Sequence, residues 1–460
     1  MCAAESSPHV MPATDTDPVS GNGRLRPSHA AQPRRVLLIA PYGSYRTAAF
    51  TQAAHRHDSE IVIATQDRCA LVEARTTGLH IDMGDEDAAL QTILAQANRT
   101  PFSAVIGTDD ASTAIAARAS AALRLPHNPL QAVRTARRKD WARACLARAG
   151  VAVPRHQRID LRVALAPQLV ATGFPCVVKP VALSASRGVI RANNLEELHH
   201  AIARVQTILT RVENVGDVEE RHMLLVEEFI SGHEVAVEGL LTAGRLQVLA
   251  IFDKPDPLDG PYFEETYYIT PSRHSMALQE RIAQCVGAAC AAYGLSEGPV
   301  HAECRIHADG VWILEVAART IGGLCGRLLR FGTGYGLEEL VLAHALGLPV
   351  TTQTEAGAAG VLMIPVPQAG ILRRVEGVLA AARVPYIDEV IIDVREGNEL
   401  VPLPEGVSYL GFIFARAPTA AEAEAALRVA HDCLHIVIAP LWKGRPAGSD
   451  GIGTGGESGG

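Results

Sequence analysis

The feature that most constrains the fold is an alternation of short apolar runs and helical stretches in the first third of the chain. The apolar runs lie at 36–40, 61–64 and 104–107. Parallel strands need long crossover connections, which are usually helices, so this rhythm predicts an α/β domain over 35–128. The turn at 41–45 lacks the Gly-x-Gly-x-x-Gly pattern of dinucleotide-binding turns, and no dinucleotide site is predicted there.

The middle of the chain mixes helix and strand signals. A helix is predicted over 132–149, and a buried strand over 174–179. The runs 224–230 and 234–241 are separated by Ser231-Gly232-His233, a short polar connection. These two runs are therefore predicted to form a β-hairpin.

Residues 349–443 are predicted to form a separate α+β module. Proline and glycine punctuate this part of the chain, and strand-like apolar runs lie at 361–366, 390–394 and 411–415. A helical pattern covers 419–432.

Both ends of the chain are predicted to be disordered. Residues 1–34 contain arginines but no apolar core, so they do not resemble a secretory signal. Residues 444–460 are mostly glycine, serine and small polar residues, whose burial could not offset the entropy lost on ordering.

Charge and apolar run length exclude two classes of partner. The 460 residues carry 42 Lys and Arg against 50 Asp and Glu, a net charge of −8, without a long basic run, so nucleic acid is not expected as a partner. No apolar run approaches the about 20 residues that cross a bilayer, so no membrane partner is expected. The nine cysteines are scattered without a Cys-x-x-Cys pair, which is typical of reduced thiols in the cytoplasm.

Two glutamates on a second predicted hairpin are candidates for a cation site. A three-residue turn at 308–310, with its glycine in the left-handed conformation, pairs His307 with Val311. Counting outward from that pair, Glu303 lies opposite Glu315. Cross-strand partners share a face with Cβ atoms about 4.5–5.5 Å apart, so these carboxylates need a cation or a shared proton between them. Mg²⁺ accepts such oxygen ligands together with phosphates and water.

Two alternatives stay open for this hairpin. It can be an exposed edge on which both glutamates are solvated. A turn of two or four residues would place the glutamates on opposite faces, because a one-residue slip reverses every side chain. The predicted cation site therefore depends on the register.

A lysine at the end of a strand is a candidate phosphate ligand. Lys179 ends the run 174–179, and a loop containing Ser184 and Ser186 follows. Such a lysine and loop can offer a point charge and backbone N–H groups to phosphate oxygens. Taken alone, Lys179 and the helix-starting Lys139 are more often solvated surface lysines.

An acidic connection lies between the two runs around residue 231. Glu227 and Glu228 precede the break at Ser231-Gly232, and Glu234 follows it. Such a segment can offer backbone donors and acceptors to a purine and a carboxylate to ribose hydroxyls. The alternative is an ordinary hairpin with charged outer positions.

Taken together and in this order, these segments resemble the ATP-grasp superfamily. The resemblance implies an α/β and α+β chain with the ATP-grasp fold. It implies a Rossmann-like pre-ATP-grasp domain at 35–128, an ATP-grasp domain at 129–348 with a lid at about 154–223, and the C-terminal α+β module at 349–443.

The resemblance also implies roles for individual residues. The implied ATP site consists of phosphate, adenine and ribose contacts: Lys139, Lys179 and Ser186 for the phosphates, Glu227 and the backbone of Ile230 for adenine, and Glu234 for ribose. Glu303 and Glu315 would hold Mg²⁺, with Mn²⁺ as an alternative ion.

Within the superfamily, the sequence is most similar to the L-amino acid ligases, which form dipeptides. The features that carry this similarity are Thr108-Asp109-Asp110 after a strand, the run 315–323, and the C-terminal module around 370–372. Two departures stand out. Ala317 replaces the Asn of the Glu-x-Asn-x-Arg pattern found in biotin carboxylase and formate-dependent purine enzymes, and Leu183 and Ala185 replace the usual glycines of the phosphate loop.

The similarity implies an ADP-forming carboxylate–amine ligase that makes an amide or dipeptide bond through an acyl phosphate. Arg319 is the candidate catalytic residue, because a fixed guanidinium suits the oxyanion formed when an amine attacks. The candidate substrate contacts are Glu265, Tyr268, His301, Gly322 and Gly323. Gly323, which has no side chain, predicts a roomy acid pocket.

Two other functions were weighed. A carboxylating or formylating ATP-grasp enzyme is disfavoured by Ala317. A nucleotide-binding regulatory protein without catalysis is disfavoured by Glu303, Glu315 and Arg319, since binding alone would not need that arginine. The expected partners are a small carboxylic acid and an amine, and a homodimer is compatible with the family.

Overall fold

The computed structural model describes residues 34–66, 77–212, 216–308, 310–349, 356–407 and 409–441. The predicted disordered ends lie outside the described residues, apart from Arg34. Within the described part, no helix is long and apolar enough to cross a membrane.

The N-terminal part is a parallel sheet with crossover helices, which confirms the α/β prediction. Its elements are β1 (Arg34–Ile39), α1 (Arg46–Arg56), β2 (Ser59–Thr65), β3 (Thr77–His80), α2 (Glu86–Arg99), β4 (Ala104–Gly107) and α3 (Thr113–Ala122), with strand order β3-β2-β1-β4. Strand β1 is buried on both faces: Val36 and Leu38 pack with Phe50 of α1, and Leu37 and Ile39 pack with the α2 and α3 side.

Two helices, rather than the predicted single helix over 132–149, connect this sheet to the rest. They are α4 (Leu130–Arg137) and α5 (Lys139–Arg148). Arg138 between them has an extended backbone, and Asp140 holds its guanidinium at 3.0 and 2.9 Å. The break makes Lys139 the first residue of a new helix, where its N–H donates to the Val181 carbonyl.

A small antiparallel sheet and its helix form a unit that we call the lid. Its elements are β5 (His156–Asp160), α6 (Leu165–Gln168), β6 (Cys176–Pro180), β7 (Ile190–Ala192), α7 (Leu195–Arg211) and β8 (Met223–Glu228), with strand order β5-β8-β6-β7. The apolar face of α7 packs on this sheet through Leu198, Ile202 and Val205.

A large antiparallel sheet forms the centre of the molecule. Its first half contains β9 (His233–Thr242), β10 (Arg245–Lys254), β11 (Tyr267–Thr270), α8 (Met276–Tyr293), β12 (Gly298–His307) and β13 (Gly310–Ala317). A 3-10 turn (Cys325–Leu328), α9 (Leu329–Thr333) and α10 (Leu337–Ala345) follow.

The predicted hairpin at 224–241 is wrong, because β8 pairs with β5 and β6 in the lid whereas β9 pairs with β10 and β12. Residues 229–232 therefore join two sheets. Gly232 is required at this crossing, since its φ is +117° and a Cβ there would lie 2.1 Å from the Ile306 carbonyl oxygen.

The C-terminal part is not the separate module that the sequence predicts. It contains β14 (Ala358–Ile364), β15 (Gly370–Glu376), α11 (Val378–Ala381), β16 (Ile387–Ile392), β17 (Glu399–Leu400), β18 (Gly411–Ala417), α12 (Ala420–Asp432) and β19 (His435–Ala439). Strands β14, β18 and β16 extend the large sheet, whose order is β13-β12-β9-β10-β11-β14-β18-β16, and β17-β15-β19 form a smaller sheet. Backbone pairing between β11 and β14 makes this part continuous with the centre.

Candidate active site

One cavity of about 440 Å³ lies where the N-terminal sheet, the lid and the large sheet meet. All of the residues predicted for the site line it: Lys139, Lys179, Ser186, Glu227, Ile230, Glu234, Glu265, Tyr268, His301, Glu303, Glu315, Arg319, Gly322 and Gly323. Residues far apart in the sequence thus converge on one space.

The register of the glutamate hairpin differs from the prediction, yet the glutamates face each other. His307 pairs with Gly310, so the turn contains two residues rather than three. Gly310 has φ +144° instead of a left-handed helical value. A β-bulge at Leu314 adds one residue to β13, and Glu303 pairs with Glu315. The turn is one residue shorter than predicted, which by itself would place Glu315 on the face opposite to Glu303. The bulge adds one residue to β13 and so returns Glu315 to the face of Glu303.

A buried lysine that sequence reasoning missed stands among three carboxylates. Lys254 Nζ lies 2.8 Å from Glu234, 2.6 Å from Glu265 and 3.2 Å from Glu303. Lys254 is 4% exposed and ends β10. Although burial opposes ionisation, Lys254 and His301 hold the pKa of Glu303 well below its usual range. A lysine closing an apolar strand, as Lys179 does, was the signal that could have found it.

Lys179 is held at the cavity by the buried carboxylate of Glu227. Its carboxylate lies 2.6 Å from Lys179 Nζ and 2.5 Å from Arg143 Nε. Burial opposes its ionisation, but Arg143 and Lys179 outweigh it and lower the pKa of Glu227 to about 2. The carboxylate therefore positions Lys179 in the cavity, and its predicted adenine contact stays a prediction.

Lys139 connects the phosphate loop to the hairpin that carries Glu303 and Glu315. Lys139 Nζ donates to the Leu183 carbonyl at 2.8 Å and lies 3.2 Å from Glu315 Oε2. In the loop itself, Ala185 and Ser186 have φ values of +56° and +54°, a region that favours glycine. The loop therefore adopts, at two non-glycine positions, a backbone conformation that favours glycine.

Glu234 and Ile230 share one arginine. Arg305 lies 3.0 Å from Glu234 Oε2 and donates to the Ile230 carbonyl at 2.8 Å. Since Lys254 pairs with the other oxygen of Glu234, both oxygens are engaged. The ribose contact of Glu234 stays a prediction.

Glu265 and Tyr268 form a buried pair. The Tyr268 hydroxyl donates to Glu265 Oε2 at 2.5 Å. Burial and the charge of Glu303 raise the pKa of Glu265 to about 7, against the opposing effect of Lys254. The protonated form of Glu265 is therefore favoured relative to that of an exposed glutamate.

His301 lies between two carboxylates. Its Nδ1 is 2.7 Å from Glu238 Oε1, and its Nε2 is 3.6 Å from Glu303 Oε1. Burial opposes its charge, but the hydrogen bonds to Glu238 and Glu303 raise the pKa of His301 to about 9. Burial also raises the pKa of Glu238, so the pair competes for one proton. We place that proton on His301, because its ring faces two carboxylates.

Arg319 is held by the N-terminal sheet. Its Nε lies 3.0 Å from Asp110, which follows β4, and its Nη1 donates to the Thr320 carbonyl at 3.0 Å. Burial opposes ionisation of Asp110, but Arg319 outweighs it and lowers the pKa of that carboxyl. The Asp109-Asp110 pair in the sequence was thus a signal for an arginine partner.

The roomy acid pocket predicted from Gly323 stays a prediction, and the structure gives a different reason for a glycine at this position. A Cβ there would lie 3.2 Å from Met363 Sδ and 3.4 Å from a Phe412 ring carbon, and the backbone φ is +61°. Glycine at 323 is therefore required by backbone shape and close packing. Open space lies instead at Gly322, where a Cβ would meet no atom within 4 Å.

Two segments of the chain match known domain families. Residues 172–327 match the ATP-grasp domain, and residues 362–439 match the L-amino acid ligase C-terminal domain 2. The chain contains an ATP-grasp domain and has the ATP-grasp fold. Its C-terminal match agrees with the resemblance to L-amino acid ligases that the sequence motifs carry.

Curated relatives of this chain include ligases. Alanine–anticapsin ligase of Bacillus subtilis is 26% identical over 250 residues, which are 52% of this chain and 52% of that ligase. Dapdiamide A synthase of Enterobacter agglomerans is 24% identical over 269 residues, 58% of each chain. The chain thus spans about half the length of the curated ligases that it matches.

Solved structures share the ATP-grasp fold over most of the chain. The L-amino acid ligase of Bacillus licheniformis has a TM-score of 0.74 and 26% identity, covering 88% of this chain and 99% of that one. A carboxyaminoimidazole ribonucleotide synthase of Aspergillus clavatus, complexed with ATP, has a TM-score of 0.67 and 17% identity, covering 87% and 98%. The second similarity supports the fold alone.

The donor set of this cavity fits a divalent cation at Glu303 and Glu315. Both carboxylates face the cavity from paired positions, and hard oxygen donors suit Mg²⁺. Ala317 supplies no side-chain oxygen. Glu234, Glu265 and Glu303 form another set whose oxygens lie within 4.8 Å of one another, but the Lys254 ammonium already lies among those oxygens.

Proposed function

We propose that this protein is an ATP-dependent, ADP-forming carboxylate–amine ligase that joins an amino acid to an amine. The observation that carries the proposal is the convergence of Lys139, Lys179, Glu303, Glu315 and Arg319 on one cavity. The match to an L-amino acid ligase C-terminal domain and the similarity to a solved L-amino acid ligase support the same activity.

In the first step, a substrate carboxylate oxygen attacks the γ-phosphorus of ATP, and the bond from that phosphorus to the ADP oxygen breaks. Lys139 and Lys179 neutralise phosphate charge, since both side chains are held at the cavity by carboxylates. Mg²⁺, or Mn²⁺ in its place, would be held by Glu303 and Glu315 and would supply charge neutralisation on the phosphates.

In the second step, an amine nitrogen attacks the carbonyl carbon of the acyl phosphate. The bond from that carbon to the phosphate oxygen breaks, and the departing phosphate takes up the proton that the nitrogen loses. Arg319 stabilises the oxyanion, because its guanidinium lines the cavity and is oriented by Asp110 and the Thr320 carbonyl.

The acid substrate is an amino acid whose ammonium binds Glu265. This carboxylate is held by Tyr268 and Lys254 at the cavity wall. The open space beside Gly322 would receive the side chain of that amino acid.

Hydroxamate formation tests the proposal, because hydroxylamine traps an activated acid without the natural amine. We expect ATP-dependent hydroxamate with one or a few amino acids, and phosphate release that rises when a second amino acid is added. Phosphate release that depends on bicarbonate or formate would instead indicate a carboxylating or formylating enzyme. No ATP hydrolysis with any acid, together with a melting temperature raised by ATP, would indicate a binding protein.

A further inference from the structure

Arg46 is a buried arginine without a carboxylate partner. It begins α1, is 6% exposed, and donates through Nη2 to the Ile321 carbonyl at 2.7 Å and the Thr320 carbonyl at 3.4 Å. Among the residues that the structure describes, no carboxylate lies within ion-pair distance of its guanidinium. A buried charge left unpaired is costly, so its retention points to an anionic ligand.

The second arginine of the site lies beside it. Arg319 donates to the same Thr320 carbonyl oxygen, at 3.0 Å. Two guanidinium groups therefore meet at one oxygen, but only Arg319 has an ion-pair partner, Asp110. Asp110 therefore balances Arg319 at close range, whereas the charges of Asp109 and Glu338 act on Arg46 from beyond ion-pair distance.

Arg46 also lies on the border between two cavities. A second cavity of about 430 Å³ is lined by Arg46 together with apolar side chains, such as those of Leu324 and Phe414, and charged ones, such as those of Arg327 and Glu338. Arg46 and Gly323 line both this cavity and the main one. A ligand whose anionic group is held by Arg46 can therefore extend into either space.

We propose that Arg46 binds the carboxylate of the amine-donating substrate, which makes that substrate an α-amino acid. The inference rests on the proposed ligase function. A guanidinium binds a carboxylate through two parallel hydrogen bonds. With its carboxylate on Arg46, the amino acid presents its nitrogen beside Arg319, where the acyl carbonyl is attacked, and its side chain enters the second cavity.

The other charged groups of the substrates have partners elsewhere. ATP phosphates have Lys139 and Lys179 on the lid side, and the ammonium of the acid substrate has Glu265. The carboxylate of the amine donor is the remaining charge. Among the described lysines, arginines and histidines that line the main cavity, Arg46 alone has no carboxylate within ion-pair distance.

The experiment compares Arg46→Gln and Arg46→Lys with the wild type in two reactions. Gln removes the charge but keeps a donor for the backbone carbonyls, and Lys keeps the charge without the planar fork. The control is Arg374→Gln, since exposed Arg374 pairs only with Glu376 on β15 among the described residues. Hydroxamate formation measures acid activation, and dipeptide formation measures use of the amine donor.

We expect Arg46→Gln to raise KM for the amino acid amine donor at least tenfold, with a smaller rise for Lys. Hydroxamate formation and KM for ATP should change less than twofold in both variants. The wild type should prefer the amino acid over its α-carboxamide at least tenfold, and Arg46→Gln should lose that preference. The control should match the wild type.

Three results would overturn the inference while leaving the ligase intact. They are an equal loss of hydroxamate formation in Arg46→Gln, a raised KM for ATP, or a wild type that uses the α-carboxamide as well as the amino acid. A wild type that forms no hydroxamate with any amino acid would overturn the ligase proposal, and this inference with it.

Discussion

Arg204 of the lid and Glu405 of the C-terminal part form a two-point ion pair, with Nε–Oε1 at 2.6 Å and Nη2–Oε2 at 2.9 Å. Beside it, the Gly188 N–H donates to the Pro404 carbonyl at 2.9 Å. The segment around Glu405 thus holds the lid at the edge of the phosphate loop.

Removing this contact should weaken ATP binding more than stability. Partly exposed ion pairs contribute at most about 1 kcal/mol, so Glu405→Gln should raise KM for ATP about two- to fivefold with little change in melting temperature. Glu376→Gln, which removes an exposed pair with Arg374, is the control. A large fall in melting temperature with an unchanged KM would contradict a role in holding the lid.

Lys254→Met should be strongly destabilising. It leaves Glu234, Glu265 and Glu303 together without their shared cation, and unpaired buried charges cost about 3–5 kcal/mol. Thermal unfolding checks this at pH 7. Adding Glu265→Gln to the variant should recover part of the loss, because one fewer carboxylate is left unpaired. No recovery would mean that lost packing, rather than charge, causes the effect.

The Glu227 carboxylate should make stability depend on acid pH. Arg143 and Lys179 lower the pKa of Glu227 from 4.5 to about 2 against the effect of burial, so its contribution is complete above pH 4.5 and is lost as the pH falls towards 2. The shift corresponds to about 3 kcal/mol. Glu227→Gln should therefore lower the melting temperature strongly at pH 7 and much less near pH 3. Equal effects at both pH values would disprove the charge argument.

The neighbouring glycines should respond differently to alanine. Gly322→Ala places a methyl group in open space of the cavity, so turnover of large acids should fall about tenfold while small acids are still used. Gly323→Ala forces a positive φ and a close contact with Met363, so it should destabilise the fold by about 1 kcal/mol or more. Acid profiles from hydroxamate assays and melting temperatures separate the two outcomes.

The sequence best predicts those site residues whose charged side chains lie at the end of a strand or on a hairpin. Lys179 ends a strand-like run, and Glu303 and Glu315 lie on one hairpin, so local pattern marks them as candidates, and their order along the chain then carries the family resemblance. Arg46, Arg143 and Lys254 differ in this respect. Each is an unremarkable cation within or at the end of an element, and its partners come from other elements, so only tertiary packing reveals its role.

Sheet membership was the part of the fold that the sequence could not supply. The runs on both sides of residue 231 look like the arms of a hairpin, because apolar patterning reports burial but not the identity of the neighbouring strand. The same limit applies to β14, β16 and β18. Their patterns predict strands correctly, yet their addition to the large sheet depends on long-range pairing with β11.

The bulge at Leu314 has a consequence for how this chain can tolerate insertions and deletions. Arg143 donates to the Leu314 carbonyl and also pairs with Glu227, which in turn pairs with Lys179. Leu314 therefore helps to position Glu227, and as the extra residue of β13 it also turns Glu315 towards the cavity. Deleting Leu314 would rotate Glu315 to the opposite face of the hairpin. One residue added to the turn would bring Glu315 back to the cavity face, but it would not replace the carbonyl that accepts from Arg143. An insertion or deletion in this hairpin therefore keeps Glu315 facing the cavity only if a second one-residue change compensates for it. Even such a pair of changes would remove the contact between Arg143 and the Leu314 carbonyl, and with it the connection to Lys179 of the lid.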